Sequence, residues 1–286
     1  MSFHRLLLHA KYAADTSPEC RIVLQSPDTD VLTLSVAPFS DINCTELWFK
    51  TGVKDLCYVP VHAVSQEIGE KMCRALLAFH ASTGCDSTSA LAGIGKKKGW
   101  QVLSRGEQHQ DSLGLLGAQG ILIGNIAGKC EAFICDLYPS YWMTPSTVDE
   151  LRNFLFCQKR QKNEMLPPTS DSLLQHLKRA NYQTFVWRKV LTAIQHIPQP
   201  ESNGWVRDGP SLKPVYMTKE PAPSSLLELI TCTCKGGCQS NCWCNNAGLS
   251  CSEACYCMAS IDVCRNPHGI LLDFSSDSED SESDSE

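Results

Sequence analysis

Arg21-Ile-Val-Leu-Gln-Ser-Pro-Asp-Thr-Asp30 sets an apolar run against a turn-forming Ser26-Pro27-Asp28. Apolar residues at consecutive positions, ended by turn formers, read as a strand buried in a parallel sheet. Outward from this stretch, residues 45–50 and 57–61 read as a second and a third strand. Residues 65–80 follow with Ser65 at an N-cap position and Glu67 and Glu70 in the first turn. Ile68, Met72, Leu76 and Phe79 recur at core-facing spacing, so the sequence predicts a helix that stops before Gly84. Strands alternating with helices define an α/β fold.

Beyond Gly84, short helices are expected at 87–92 and 98–103, joined by the turn Gly93-Ile94-Gly95. Residues 106–129 show no steady period and many glycines, and read as an irregular insert. Helices return at 130–137 and at 148–162, the latter capped by Ser146 or Thr147. A helical hairpin is expected between 171 and 196. The organisation is thus an α/β domain over 1–105, the insert, a helical region over 130–197 and a Pro/Gly-rich linker over 198–228. A cysteine-rich module over 229–268 and an acidic, serine-rich tail over 273–286 complete it.

The chain has 286 residues, 43% of them hydrophobic, enough for a sizeable core. Its formal charge of −6 resides in the tail, where residues 273–286 hold seven acids and no base. A neutral body neither requires nor excludes nucleic acid, since a local basic stripe decides that. Seventeen cysteines would fit a secreted disulfide protein, but Met1-Ser-Phe-His-Arg-Leu-Leu-Leu8 is too short an apolar start for a signal peptide. A reducing compartment, the nucleus ahead of the cytoplasm, is therefore expected. The longest apolar run, around residues 113–128, is broken by Gln119, Asn125 and glycines, so no membrane span is predicted.

Nine cysteines concentrate at Cys232, Cys234, Cys238, Cys242, Cys244, Cys251, Cys255, Cys257 and Cys264, in a segment with almost no other core-forming side chains. Thiolates at this density point to tetrahedral zinc. Three ions need twelve ligand positions, which nine cysteines supply if three of them bridge. Two ions on eight cysteines and a disulfide framework are the alternatives. His268 stands near enough to Cys264 to replace a ligand. This text is similar to the tesmin-type CXC domain over about 35 residues, and the resemblance implies zinc and an association with DNA through tyrosines and lysines beside the cysteines. The pattern departs from that family at Asn241, where an aromatic residue is expected. Lys235 and Arg265 are the bases near the cluster.

Asp28, Asp30 and Asp86 are the candidate catalytic carboxylates, since ligands of open α/β sheets sit at the carboxyl ends of strands. Clustered carboxylates serve phosphodiester chemistry by holding magnesium. On spacing alone, the same residues read as an Asx turn and a helix cap. Ser26-Pro-Asp-Thr-Asp-Val31 and Thr83-Gly-Cys-Asp-Ser87, followed by Gly93-Ile-Gly-Lys-Lys-Lys98, resemble the PIN-like flap-endonuclease superfamily. The resemblance covers residues 5–103 and implies magnesium at the three aspartates, with Gly93, Gly95, Lys96, Lys97 and Lys98 gripping a nucleic-acid backbone. It also implies an earlier aspartate-bearing strand, plus acids at the start of the helix formed here by residues 5–10. Met1-Ser-Phe-His4 stands in that place, so a truncated PIN-like sheet is expected.

Together these features resemble mobile-element-derived proteins. The expected function is a zinc-binding, nuclease-like protein associated with nucleic acid, chromatin or a protein partner, and catalytically impaired. An active magnesium-dependent nuclease and a non-functional relic are the alternatives. The remaining histidines show no metal spacing and read as surface or core residues. Cys85 reads as a small buried thiol. Trp142, Trp187 and Trp205 read as anchors rather than as platforms for bases. Repeated Ser-Asp and Ser-Glu pairs in the tail suit acidophilic kinases, or simply solubilise.

Overall fold

The computed structural model describes residues 2–17, 19–52, 55–139, 144–158, 162–219, 232–235, 237–239, 241–246, 251, 255–259, 264 and 266. The chain divides into two compact units, Met1–Thr218 and Lys219–Glu286.

The first unit is mixed α/β. Helix α1 (Ser2–Thr16) leads into β1 (Arg21–Gln25), α2 (Thr29–Val36), β2 (Glu46–Thr51) and β3 (Cys57–Pro60). β1 pairs parallel with β2, aligning Arg21 with Glu46 and Gln25 with Lys50, whereas β3 runs antiparallel on the other side of β2. The expected strands are thus present, but the sheet is mixed rather than parallel. β1 is nevertheless an edge strand, with Leu24 buried and Val23 half exposed. It is not buried on both faces, because β2 is its only strand neighbour among the described residues.

Helix α3 (Val61–Ser82) is the central support of this unit and starts four residues before the expected Ser65 cap. Gly69 breaks it with a φ of 78°, a left-handed conformation that suits glycine. Met72 and Phe79 are buried, while Ile68 and Leu76 pack partly against the core. The expected helix at 87–92 is absent. Instead Thr88 folds back on Cys85 in an isolated bridge, and Thr88 Oγ1 donates to the Ala81 carbonyl at 2.6 Å. A local hydroxyl bond has replaced the helical one there.

The stretch 106–129 is largely helical, a correction to the expected insert. After α4 (Lys96–Arg105), α5 (Glu107–Leu115) runs through it and α6 (Gly124–Asp136) begins in it, and Leu113 and Leu116 are fully buried. Gly106, Gly117 and Gly120 mark close packing, whereas Gly124 and Gly128 have open space around them. At Gly117 (φ 76°) a Cβ would lie 2.6 Å from the Thr184 side chain. The core is therefore continuous from Leu7 to Val190, and no domain boundary falls at 105 or 130.

α7 (Val148–Gln158) is capped by Thr147, whose Oγ1 accepts from Glu150 N, while the Glu150 carboxylate accepts from Ser146 N. Reciprocal bonds of this kind satisfy donors that the first helical turn leaves free. A single helix α8 (Ser170–Arg188) replaces the expected hairpin. Part of the expected linker is ordered as a hairpin, β4 (Trp205–Asp208) with β5 (Ser211–Pro214). Buried Arg179 holds it by donating to the carbonyls of Gly204 and Val215, bonds that a Pro/Gly-rich composition does not announce.

His176 on α8 is buried and its Nε2 lies 2.9 Å from the Ser82 carbonyl, tying α8 to the end of α3. Burial pushes its pKa below the usual histidine value, so the folded unit refuses a proton that the unfolded chain accepts. Stability is then fully present above about pH 6.5 and is lost as pH falls towards the depressed folded value, at up to about 1.4 kcal/mol per pH unit for this group. Thermal unfolding recorded from pH 7.5 to 5 should show this fall. His176→Gln, which keeps a donor for Ser82, should make it shallower.

Candidate metal centre and aspartate cleft

In the second unit six cysteines, at positions 232, 238, 242, 244, 255 and 257, are buried, and Cys234, Cys251 and Cys264 pack against them. None of the seventeen cysteines is joined in a disulfide. Sulfurs of Cys232 and Cys238 lie 3.8 Å apart, those of Cys232 and Cys251 3.9 Å, Cys244 and Cys255 3.6 Å, and Cys257 and Cys264 3.6 Å. A disulfide needs about 2.0 Å. Four thiolates at about 2.3 Å from one zinc stand about 3.8 Å from each other, so these spacings are those of tetrahedron edges.

Three tetrads emerge: Cys232, Cys244, Cys251 and Cys255; Cys232, Cys238, Cys242 and Cys251; Cys238, Cys251, Cys257 and Cys264. Within each, all ligand atoms lie within 4.8 Å of one another. The cluster could hold zinc-type ions. Cys251 belongs to all three tetrads, and Asn266 donates to its sulfur at 3.2 Å. Burial pushes the Cys251 thiol up to about 12, so an entering cation must displace protons.

Two features of this cluster escaped the sequence reading. Asn266, two residues after the last cysteine, is buried against the Cys251 sulfur, a contact that cysteine spacing does not announce. The spacing from Cys238 to Cys251 also recurs from Cys251 to Cys264: a cysteine, three residues, Cys-aromatic-Cys, six residues, a cysteine. The aromatic residues of the two periods, Trp243 and Tyr256, each open a single helical turn, Trp243–Asn246 and Tyr256–Ala259, and are half exposed. Arg265 and His268 lie outside the described residues, as do Trp142 and the acidic tail.

The three aspartates take three different roles. Asp28 caps α2, its Oδ1 accepting from Asp30 N at 2.8 Å, which is the Asx arrangement. Asp30 is bound by a residue fifty positions away, His80 Nε2, at 2.7 Å. Burial holds the His80 pKa down even with the carboxylate beside it. Asp86 is exposed and lines, with Asp30 and Cys85, a cleft of about 870 Å³ walled by Leu34, Trp187 and Val190. Cys85 faces Thr88 Oγ1 at 3.1 Å, and Trp187 stands against the His80 ring. Among the described residues every group of three or more close ligand atoms consists of cysteines, so Asp28, Asp30 and Asp86 do not converge as a trio.

The basic turn is similarly divided. Gly93 has a φ of 69°, and a Cβ there would strike Met165, whereas Gly95 opens α4 with free space around it. Lys96, Lys97 and Lys98 are all exposed, but only the first has its ammonium group engaged within the chain among the described residues. Lys96 folds back on α3, its Nζ donating to the carbonyls of His80 at 3.1 Å and Gly84 at 2.5 Å and to Thr83 Oγ1 at 3.1 Å. Burial lowers its pKa, and its donors serve a helix end rather than a phosphate.

No protein-family profile, no curated protein and no solved structure matches this chain.

Lys96→Met should cost about 1–2 kcal/mol in urea unfolding of the first unit, by stripping the α3 terminus of its cation. Lys97→Met and Lys98→Met should each stay within about 0.5 kcal/mol of the parent. Equal losses at all three would contradict the division of roles.

Proposed function

We propose that this chain is a zinc-thiolate protein of the CXC kind which associates with nucleic acid or chromatin and does not itself cleave phosphodiesters. The interlocking thiol tetrads carry this reading. A segment with so little apolar core needs a cation to hold it, and the sulfur spacings suit zinc.

The cluster is read as three zinc ions. A thiolate shared by three ions is crowded, and Cys234, absent from every tetrad, interacts with Cys232, Cys238 and Cys242. If Cys234 takes the place of Cys251 in the second tetrad, each pair of ions shares one sulfur, from Cys232, Cys238 or Cys251. All twelve positions are then filled by nine cysteines. The half-exposed Trp243 and Tyr256 offer stacking surfaces for bases, and Lys97 and Lys98 offer phosphate contacts.

The nuclease-like part of the reading comes from the PIN-like resemblance. The pairing of Asp30 with His80 and the capping role of Asp28 support a fold kept without cleavage, as in mobile-element-derived proteins. An active magnesium-dependent nuclease is the second reading, favoured by the shared cleft of Asp30 and Asp86.

Native mass spectrometry of the full chain should count three zincs, and chelation should abolish structure in the second unit. Cys251→Ser should cost at least one zinc and Cys234→Ser less. Two zincs, or none, would overturn the three-ion assignment. Magnesium titrated to millimolar concentration should produce no cleavage of flap or single-stranded substrates. Cleavage abolished by Asp86→Asn would install the second reading. Fluorescence anisotropy with duplex and single-stranded oligonucleotides should show binding that weakens with salt and with Lys97→Met/Lys98→Met.

A further inference from the structure

We propose that β1 is an association edge through which two copies of this chain pair as antiparallel strands about a two-fold axis at Val23. Ser26 N donates to the Lys50 carbonyl at 3.1 Å, continuing the parallel ladder past the end of the strand. Backbone groups alternate sides along a strand, so Ile22 and Leu24 turn theirs towards β2. Arg21, Val23 and Gln25 turn theirs outward. Among the described residues no other backbone pairs with them.

Strand edges are ordinarily blunted by proline, by bulges or by unpaired charge. The opposite edge of the sheet follows that rule, since β3 ends in Pro60. β1 has no proline and aligns with β2 without a bulge. Its single charge, Arg21, is neutralised within the chain by Glu46, with Nε to Oε2 at 2.7 Å. Val23, half exposed at the centre, adds an apolar contact.

The outward groups complement a second β1. An antiparallel two-fold at Val23 sets Val23 against its own copy and Arg21 against Gln25 of the partner, and each of these pairs exchanges both backbone bonds. No like charges face each other. A five-residue strand buries less than the ~1,200 Å² of a stable interface, so association on the order of tens to hundreds of micromolar is expected.

Sedimentation equilibrium of the zinc-loaded full chain, under reducing conditions from about 10 µM to 1 mM, tests this. The expected result is a monomer–dimer equilibrium that Val23→Lys and Val23→Pro each weaken at least tenfold, with unchanged circular dichroism. Tyr58→Lys on the other edge should leave it intact. Amide exchange in the unsubstituted chain supplies a reading that needs no variant: the Val23 and Gln25 amides should exchange more slowly at high concentration, and the Ile22 and Leu24 amides should not change. A monomer throughout the range would overturn the proposal. So would a dimer indifferent to Val23→Lys, or concentration-independent exchange at Val23.

Discussion

The C-terminal turn of α3 is where the first unit is tied together. A helix leaves its last carbonyls without partners, and a buried end must find donors elsewhere. Here Thr88 meets Ala81, His176 meets Ser82, and Lys96 meets both His80 and Gly84. These donors come from the turn after α3, from α8 and from the start of α4. The same turn carries the imidazole that grips Asp30 on α2. Capping one helix therefore fixes the mutual positions of α2, α4 and α8 and helps shape the cleft lined by α2, α8 and the turn after α3.

The second unit follows another principle. The buried hydrophobic cluster there is made of thiols rather than hydrocarbons, and in the zinc-thiolate reading proposed above the favourable energy of folding comes from ligand bonds. The first unit draws on a continuous apolar core and the second, in that reading, on coordination, so acid, chelators and oxidants should act on them separately. That difference also explains why the same residue type behaves differently in the two units. Cys130, buried among apolar neighbours on α6, has its pKa pushed up to about 12 by burial and serves as packing, whereas the clustered cysteines face one another.

Local signals in the sequence led to the correct elements where they were local in origin. The apolar run of β1, the Thr147 cap and the cysteine spacing can all be read from neighbours a few residues apart. What remained illegible depends on distant partners. Glycines between 106 and 129 look like breakers until Thr184 is seen pressed against Gly117, and the Pro/Gly-rich stretch after 198 looks like a linker until Arg179 is seen binding it. The aspartates show the same limit, since the motif marks Asp30 but cannot announce a histidine fifty residues later. Lys96 is also indistinguishable from Lys97 and Lys98 in sequence, and only the fold sets it apart.

The two matching cysteine periods that meet at Cys251 have a consequence for how such a segment can change over time. Substitutions between the cysteines alter surface chemistry while leaving the thiol frame in place. Inserting or deleting a single residue shifts every later ligand out of step, and because both periods share one sulfur, the damage crosses from one into the other. Such a segment is free in spelling and fixed in length, and its descendants should differ by replacement far more often than by gaps.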